Sequence, residues 1–324
     1  PALEIDGFDI SRTLMEARKV LVRNQCHLSA TPEILALNFI FTRELLEDHF
    51  PGEVVRALAT RQKMEPTAED VSVLVSTALY SVAHEYCDSL MFIREKALGS
   101  TSIAANLVLA YSSTSDFWQD AVLGNEDTYI QRSVNGLITA TFGALNLEQH
   151  WSRDLLPTPR NYEEQLFPDY FGSFKKLPIV VAEIKSPTAA YDMVELDNRR
   201  VPCMMKLSLD QLLAANVKNP VVVGLLINEG RCRLMSLQLV HEALYIPVEL
   251  GRFDVPQSKY QLSLLLPGIA PLMVAKDLVS QTINAIKSRP PSFKVPQTTS
   301  PLVRPSYHVQ GIKIPAPLPP AVGL

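Results

Sequence analysis

Cysteine is scarce in this chain. Four residues in 324, Cys26, Cys87, Cys203 and Cys232, lie far apart. They form neither a CxxC pair nor a dense disulfide framework, which points to reduced thiols inside a cell. His84, Cys87 and Asp88 share one helical turn, but the apolar stripe around them makes Cys87 a core residue and His84 a flank. No zinc site is expected there, nor at Cys26-His27, which lacks partners. Long apolar runs are missing too. None reaches about 18–20 residues, so no membrane span is expected. No signal-peptide pattern follows Pro1, and a targeting segment upstream of it is left open; the expected location is nuclear or cytoplasmic. There is no internal repeat. Ser186 and Ser208 have no histidine near them in sequence, which argues against a nucleophilic triad.

What is present is a globular composition. The apolar share is 47% and the length suits one large domain or two ordinary ones. The net charge of −4 is unevenly spread. Lys plus Arg against Asp plus Glu runs 11 to 20 over residues 1–150, 11 to 10 over 151–234 and 8 to 4 over 235–324. A polyanion is repelled by the first section and tolerated by the second, so any nucleic-acid chemistry belongs to the middle.

The first hundred residues read as helices. Thr31-Pro32 opens a pattern from Glu33 to Phe50, and Thr67 to Asp70 resembles a capping box before a long amphipathic helix over 68–96. Ser112 to Ser115 marks a loop. After a helix at 126–145 come short β-branched stretches near 147–151, 166–171, 177–184, 221–227, 232–239 and 243–250. A helix at 203–216 interrupts them and another, 270–287, follows Pro267-Gly268. This order predicts an α/β sheet packed by helices behind an all-helical section. The divisions expected are 1–118 helical, 119–288 α/β, and 289–324 a Pro-rich strap or tail. Nine of 24 prolines fall in the last segment, including Pro315 to Pro320.

The stretch "FPDYFGSFKKLPIVVAEIKSP", 167–187, carries charges that a buried strand does not need. If 166–171 and 177–184 pair across a turn at Gly172–Lys176, Asp169 and Glu183 meet at one end of the sheet. With the carbonyl of Ile184 they offer oxygens suited to Mg²⁺ or Mn²⁺. Lys185, two residues past Glu183, shares its face and can hold or deprotonate a water and stabilise charge on a phosphate.

Pro168-Asp169 followed by Glu183-Ile184-Lys185 resembles the PD-(D/E)xK nuclease superfamily, which includes restriction endonucleases, archaeal Holliday-junction resolvases and RecB-type exonucleases. The resemblance covers about residues 120–250. It implies a restriction-endonuclease-like αβββαβ core, with Asp169 and Glu183 as metal ligands and Lys185 as the catalytic lysine. It also implies an acid from the first helix, which Glu126 supplies in Asn125-Glu126-Asp127. Gln211 stands in the second helix, where RecB-like members carry glutamine; the tyrosine expected four residues later is Ala215, so that subgroup is not supported. "EIKSP", "KLSLDQLL" and "VVVGLLINEGRCRLMSL" together are similar to fungal members of the superfamily. The activity implied is metal-dependent hydrolysis of nucleic acid, DNA ahead of RNA.

Plainer readings stand beside these. Glu183 and Lys185 also suit an exposed edge strand, where charge discourages aggregation, although Asp169 then needs its own explanation as a turn cap. Glu126 suits the positive end of a helix dipole. His150 and Trp151 read as rim and core. Lys175-Lys176, Arg199, Arg200, Lys206, Arg231 and Arg233 can contact phosphates, with Gln211 a further candidate nucleic-acid contact, yet the basic residues as a set resemble an ordinary solvated surface. The rival class is a catalytically idle nuclease scaffold acting as an interaction, regulatory or effector protein. Its partners would meet the acidic N-terminal helices or the Pro-rich tail, and a homodimer is among the expected states.

Overall fold

The computed structural model describes residues 3–24, 28, 30–59, 64–83, 88, 91–92, 95, 102–112, 126–152, 154–157, 166–186 and 191–289. The expectations for Cys26-His27, His84, Cys87, residues 113–115 and the Pro-rich segment from Pro290 fall outside these residues.

The chain builds a mixed α/β structure around a six-stranded sheet in sequential order. Its strands are β3 (Glu148–Trp151), β4 (Tyr170–Phe174), β5 (Leu177–Ile184), β6 (Val222–Asn228), β7 (Arg231–His241) and β8 (Leu244–Asp254), after a small hairpin of β1 (Glu4–Ile5) and β2 (Phe8–Asp9). Every pairing in the six-stranded sheet is antiparallel except β5 with β6. A parallel pair needs a crossover, and the helix Tyr191–Ala214 supplies it. Ile179, Val180, Val181 and Ala182 are fully buried, because helices cover both faces of the sheet. The Tyr191–Ala214 helix lies close over β6: a Cβ at Gly224 would run into Sδ of Met205 and stand 3.0 Å from Val201 Cγ1. On the opposite face the helix Leu266–Lys287 presses Gly268 against the ring of Phe253, and Thr282 Oγ1 bonds both the N–H and the carbonyl of Val221.

Several boundaries differ from the sequence expectation. Gly172 lies inside β4 rather than in the turn. A Cβ there would meet the Tyr170 hydroxyl at 2.9 Å and Leu147 Cδ1 at 3.0 Å, so glycine marks a close approach. The turn is the two residues Lys175 and Lys176, with φ of 52° and 62°, as a tight hairpin requires. Residues 33–50 do not form one helix. They form Thr31–Leu37 and Arg43–Glu47, separated where Phe39 takes a φ of 62°. Phe41 N donates to Tyr245 O at 2.9 Å and Tyr245 N donates to Phe39 O at 3.1 Å. The unpaired edge of β8 thus takes this segment out of helical geometry.

The other helices described are Ile10–Arg23, Gly52–Leu58, Ala68–Ala83 and Ile103–Ser112. The capping box is formed: Thr67 N donates to Asp70 Oδ2 at 3.0 Å and Asp70 N donates to Thr67 Oγ1 at 3.1 Å. Leu74, Leu107, Val108 and Tyr111 join one hydrophobic cluster with the sheet, and Ile10, Leu14, Phe41, Leu46 and Val54 form a second with Leu244, Ile246 and Val248. Contrary to the expectation from uninterrupted runs, the stretch Lys259–Lys287 is long and apolar enough to cross a membrane by length and composition; half of its apolar window is buried in the fold. A mean over a window tolerates the scattered polar residues that break a run.

Overpacking gives a test of this architecture. Gly224→Val should lower stability by about 1–3 kcal/mol, read as a lower urea midpoint at unchanged slope. An unchanged midpoint would mean that the crossover helix does not lie on β6 as described.

Candidate active site

Strand β5 ends at Ile184, and both sides of that end are tied down. Ile184 N donates to Asp169 Oδ2 at 2.7 Å, and Lys185 N donates to Ile227 O, also at 2.7 Å. Asp169 stands one residue before β4, not on a strand as expected, and its carbonyl accepts from Ser152 N at 3.0 Å. The alternation of a strand then puts Glu183 and Lys185 on one face, under the crossover helix.

The four expected acid–base residues come together there. Lys185 Nζ lies 3.5 Å from Glu126 Oε2, 3.6 Å from Asp169 Oδ2 and 3.8 Å from Asp197 Oδ2. It also donates to the Ile184 carbonyl at 3.4 Å, so that oxygen already has a partner. Glu126 begins the helix segment Glu126–Tyr129, which passes through a π-helical turn, Ile130–Val134, into Asn135–Phe142. The Tyr111 hydroxyl donates to the Ser133 carbonyl within that turn at 2.7 Å, fixing it against the N-terminal helices.

The crossover helix adds two groups. Arg200 sits 3.2 Å from Glu183 Oε1 through Nη2 and 3.7 Å from Asp197 Oδ1 through Nη1. Asp197 was not anticipated from sequence, because the helix was expected to begin only at 203. Its spacing of three residues to Arg200 is the pattern that could have revealed it. Arg200, expected as a nucleic-acid contact, reaches inward onto two acids while part of its side chain stays exposed.

Burial sets the protonation of this corner. It pushes the Glu183 carboxyl up to about 9, with Asp169 adding to the rise and Arg200 opposing it. Burial likewise raises Asp197 against the pull of Lys185 and Arg200, and Glu126 against the pull of Lys185. For Lys185 burial works against the charge, but Asp169, Asp197, Glu126 and Glu183 outweigh it and raise the ammonium above the ordinary lysine value. Lys185 is therefore a donor at neutral pH.

A hard divalent cation fits this donor set. The set is all oxygen, and four carboxylates face only two cations, Lys185 and Arg200. Glu183 Oε1 and both Asp197 oxygens are buried without a hydrogen-bond partner among the described residues. No group of three His, Cys, Asp or Glu side chains is arranged as a ready cage among those residues. Mg²⁺ needs fewer protein ligands than that and keeps several waters.

The other expected contacts separate from this corner. Lys206 is fully buried, with Nζ 2.8 Å from Asp210 Oδ2 and 4.6 Å from the centre of the Tyr245 ring, whose hydroxyl also donates to Asp210. It is therefore no surface contact for a polyanion. Gln211 Nε2 donates to the Pro157 carbonyl, and Arg199 Nε donates to Thr31 Oγ1 at 3.0 Å. His150 stacks on Phe171 and Trp151 tilts onto Tyr170, as rim and core. A cavity of about 500 Å³ opens between the N-terminal helices and strands β7 and β8, lined by Arg43, Arg233, Glu249 and Arg252. It contains none of the four carboxylates.

No protein-family model, curated protein or solved structure matches this chain.

Two outcomes follow from the burial of charge. The folded state keeps the Glu183 proton to about pH 9, whereas the unfolded chain loses it near its ordinary value of 4.5. The unfolded state then binds fewer protons between these values, so this group makes stability fall as pH rises through that window. Glu183→Gln should flatten the fall between pH 5 and pH 8 in denaturant titrations; slopes equal to wild type would contradict the buried, protonated acid. Lys206→Met should cost about 3–5 kcal/mol by leaving Asp210 buried without its counter-charge and with only the Tyr245 hydroxyl, while Lys206→Met with Asp210→Leu should recover most of it.

Proposed function

We propose that the protein is a Mg²⁺- or Mn²⁺-dependent nuclease built on a restriction-endonuclease-like core. The carrying observation is the convergence of Glu126, Asp169 and Asp197 within 3.8 Å of Lys185 Nζ, with Glu183 on the same strand end. The element order supports the same reading: Glu126–Phe142, then β3, β4 and β5, the crossover helix and β6 follow the αβββαβ sequence of that superfamily.

In this reading Asp169 and Glu183, the latter giving up its buried proton, would hold the cation, which when bound would lower the pKa of an attacking water and neutralise charge at the scissile phosphate. Lys185, held charged, donates hydrogen bonds to a non-bridging phosphate oxygen and orients the water. Glu126 is the most exposed acid touching Lys185, and its raised pKa suits it to accept the proton of that water. DNA is favoured over RNA by family resemblance alone.

A second reading has one observation in its favour. Arg200 already occupies Glu183, as it would in an idle scaffold kept for interaction or regulation. Incubation with supercoiled plasmid and with single-stranded DNA and RNA, in Mg²⁺, Mn²⁺ or EDTA, separates the two. Cleavage should need the metal and fall at least about a hundredfold in Asp169→Asn and Lys185→Ala. Cleavage equally strong in those variants, or none on any substrate, rejects the nuclease reading.

A further inference from the structure

The guanidinium of Arg200 is where a cation-binding acid needs no competitor. Its Nη2 is the nearest positive group to Glu183 Oε1, one of the oxygens offered to the divalent ion. A guanidinium and a divalent cation on one buried carboxylate repel each other with little solvent to screen them. Asp197 provides the place to retreat to. It lies one helical turn before Arg200, is fully buried, and keeps both oxygens free of hydrogen bonds among the described residues. Arg200 differs from both acids in its exposure: 31% of its side chain faces solvent, against 1% for Glu183. Its outer edge can therefore meet a ligand that the acids cannot reach. A guanidinium carries five donors in a planar fork that matches two phosphate oxygens.

We propose that Arg200 is an internal partner that occupies Glu183 until a substrate phosphate draws it outward, so that nucleic acid and divalent cation bind this corner cooperatively. The inference rests on the nuclease reading above and adds to it a role for Arg200 and Asp197. No bond between heavy atoms changes: the Glu183 proton leaves to solvent as the cation takes the carboxylate, and Arg200 exchanges Glu183 for the phosphodiester. Without polyanion, Arg200 lies on Glu183 and opposes the metal. With polyanion, it turns to the phosphodiester, Asp197 steadies its inner edge, and Glu183 is released. Coupling of this kind is reciprocal: whatever the strand does for the cation, the cation does for the strand.

The test is Mn²⁺ binding to the chain, followed by the electron paramagnetic resonance of free Mn²⁺. Titrations are run with and without a nuclease-resistant phosphorothioate oligonucleotide, whose own Mn²⁺ uptake is subtracted. In wild type the oligonucleotide should tighten Mn²⁺ binding about tenfold. Arg200→Gln should bind Mn²⁺ more tightly than wild type on its own, and the oligonucleotide should then add nothing. Asp197→Asn should weaken Mn²⁺ binding in the native background and have no effect beside Arg200→Gln. Mn²⁺ binding that Arg200→Gln leaves unchanged or weakens overturns the role of Arg200 while leaving the cation site standing. Wild type that binds no Mn²⁺ in either titration sinks the nuclease reading itself. Should Arg200→Gln fail to fold, wild type carries the test. The Arg200 Nε–H resonance, assigned by its loss in Arg200→Lys, should move when Mg²⁺ is added, and a resonance that stays fixed at saturating Mg²⁺ overturns the proposal.

Discussion

The hydrogen bond from Ile184 N to Asp169 Oδ2, at 2.7 Å, is the constraint on which the rest of the corner depends. Asp169 spends its carboxylate on the end of β5 and its carbonyl on Ser152, just past β3. One residue thereby gathers the ends of three strands. On the other side Lys185 N is bound by Ile227 O, so the last residues of β5 cannot slip in register. Because side chains alternate along a strand, fixing Ile184 also fixes which way Glu183 and Lys185 point.

That rigidity holds charges together in a place where they would otherwise disperse. Four acids and two cations share the space between β5, the crossover helix and the start of the Glu126 helix. Taking such groups out of water is unfavourable, and their mutual attraction only partly offsets the loss. Lys206, Asp210 and Tyr245 repeat the arrangement in a structural setting, with every partner satisfied inside the fold. The difference lies in the leftovers. Asp210 finds a hydroxyl and an ammonium, whereas Asp197 and one oxygen of Glu183 lack hydrogen bonds among the described residues.

Much of this corner was legible in the sequence because it obeys a period of two. An apolar β-branched run, a charge pair two apart at its end, and an acid behind a proline are all local patterns. The α/β class was legible for the same reason, since the helical and alternating stretches occur in the order found. What was hidden depends on packing. Lys206 was read as a surface lysine, as most lysines are, although Asp210 four residues on was the available sign of a partner. Asp197 lay outside any expected element because the crossover helix starts before its most periodic part. The break at Phe39 was invisible, since nothing near it in sequence announces that the edge of β8, about two hundred residues later, will claim its backbone.

The π-helical turn at Ile130–Val134 has a consequence for how the acid of the first helix is found. Such a turn contains one residue more than the regular path, and each residue of a helix advances the direction of a side chain by about 100°. Glu126 reaches Lys185 across this surplus residue. A chain shorter by one position there would carry its acid on the flank of the helix, even with every neighbouring letter unchanged. Matching by resemblance of letters is blind to that rotation, so a count of positions between the acid and strand β3 is the better guide to whether another chain can assemble the same corner.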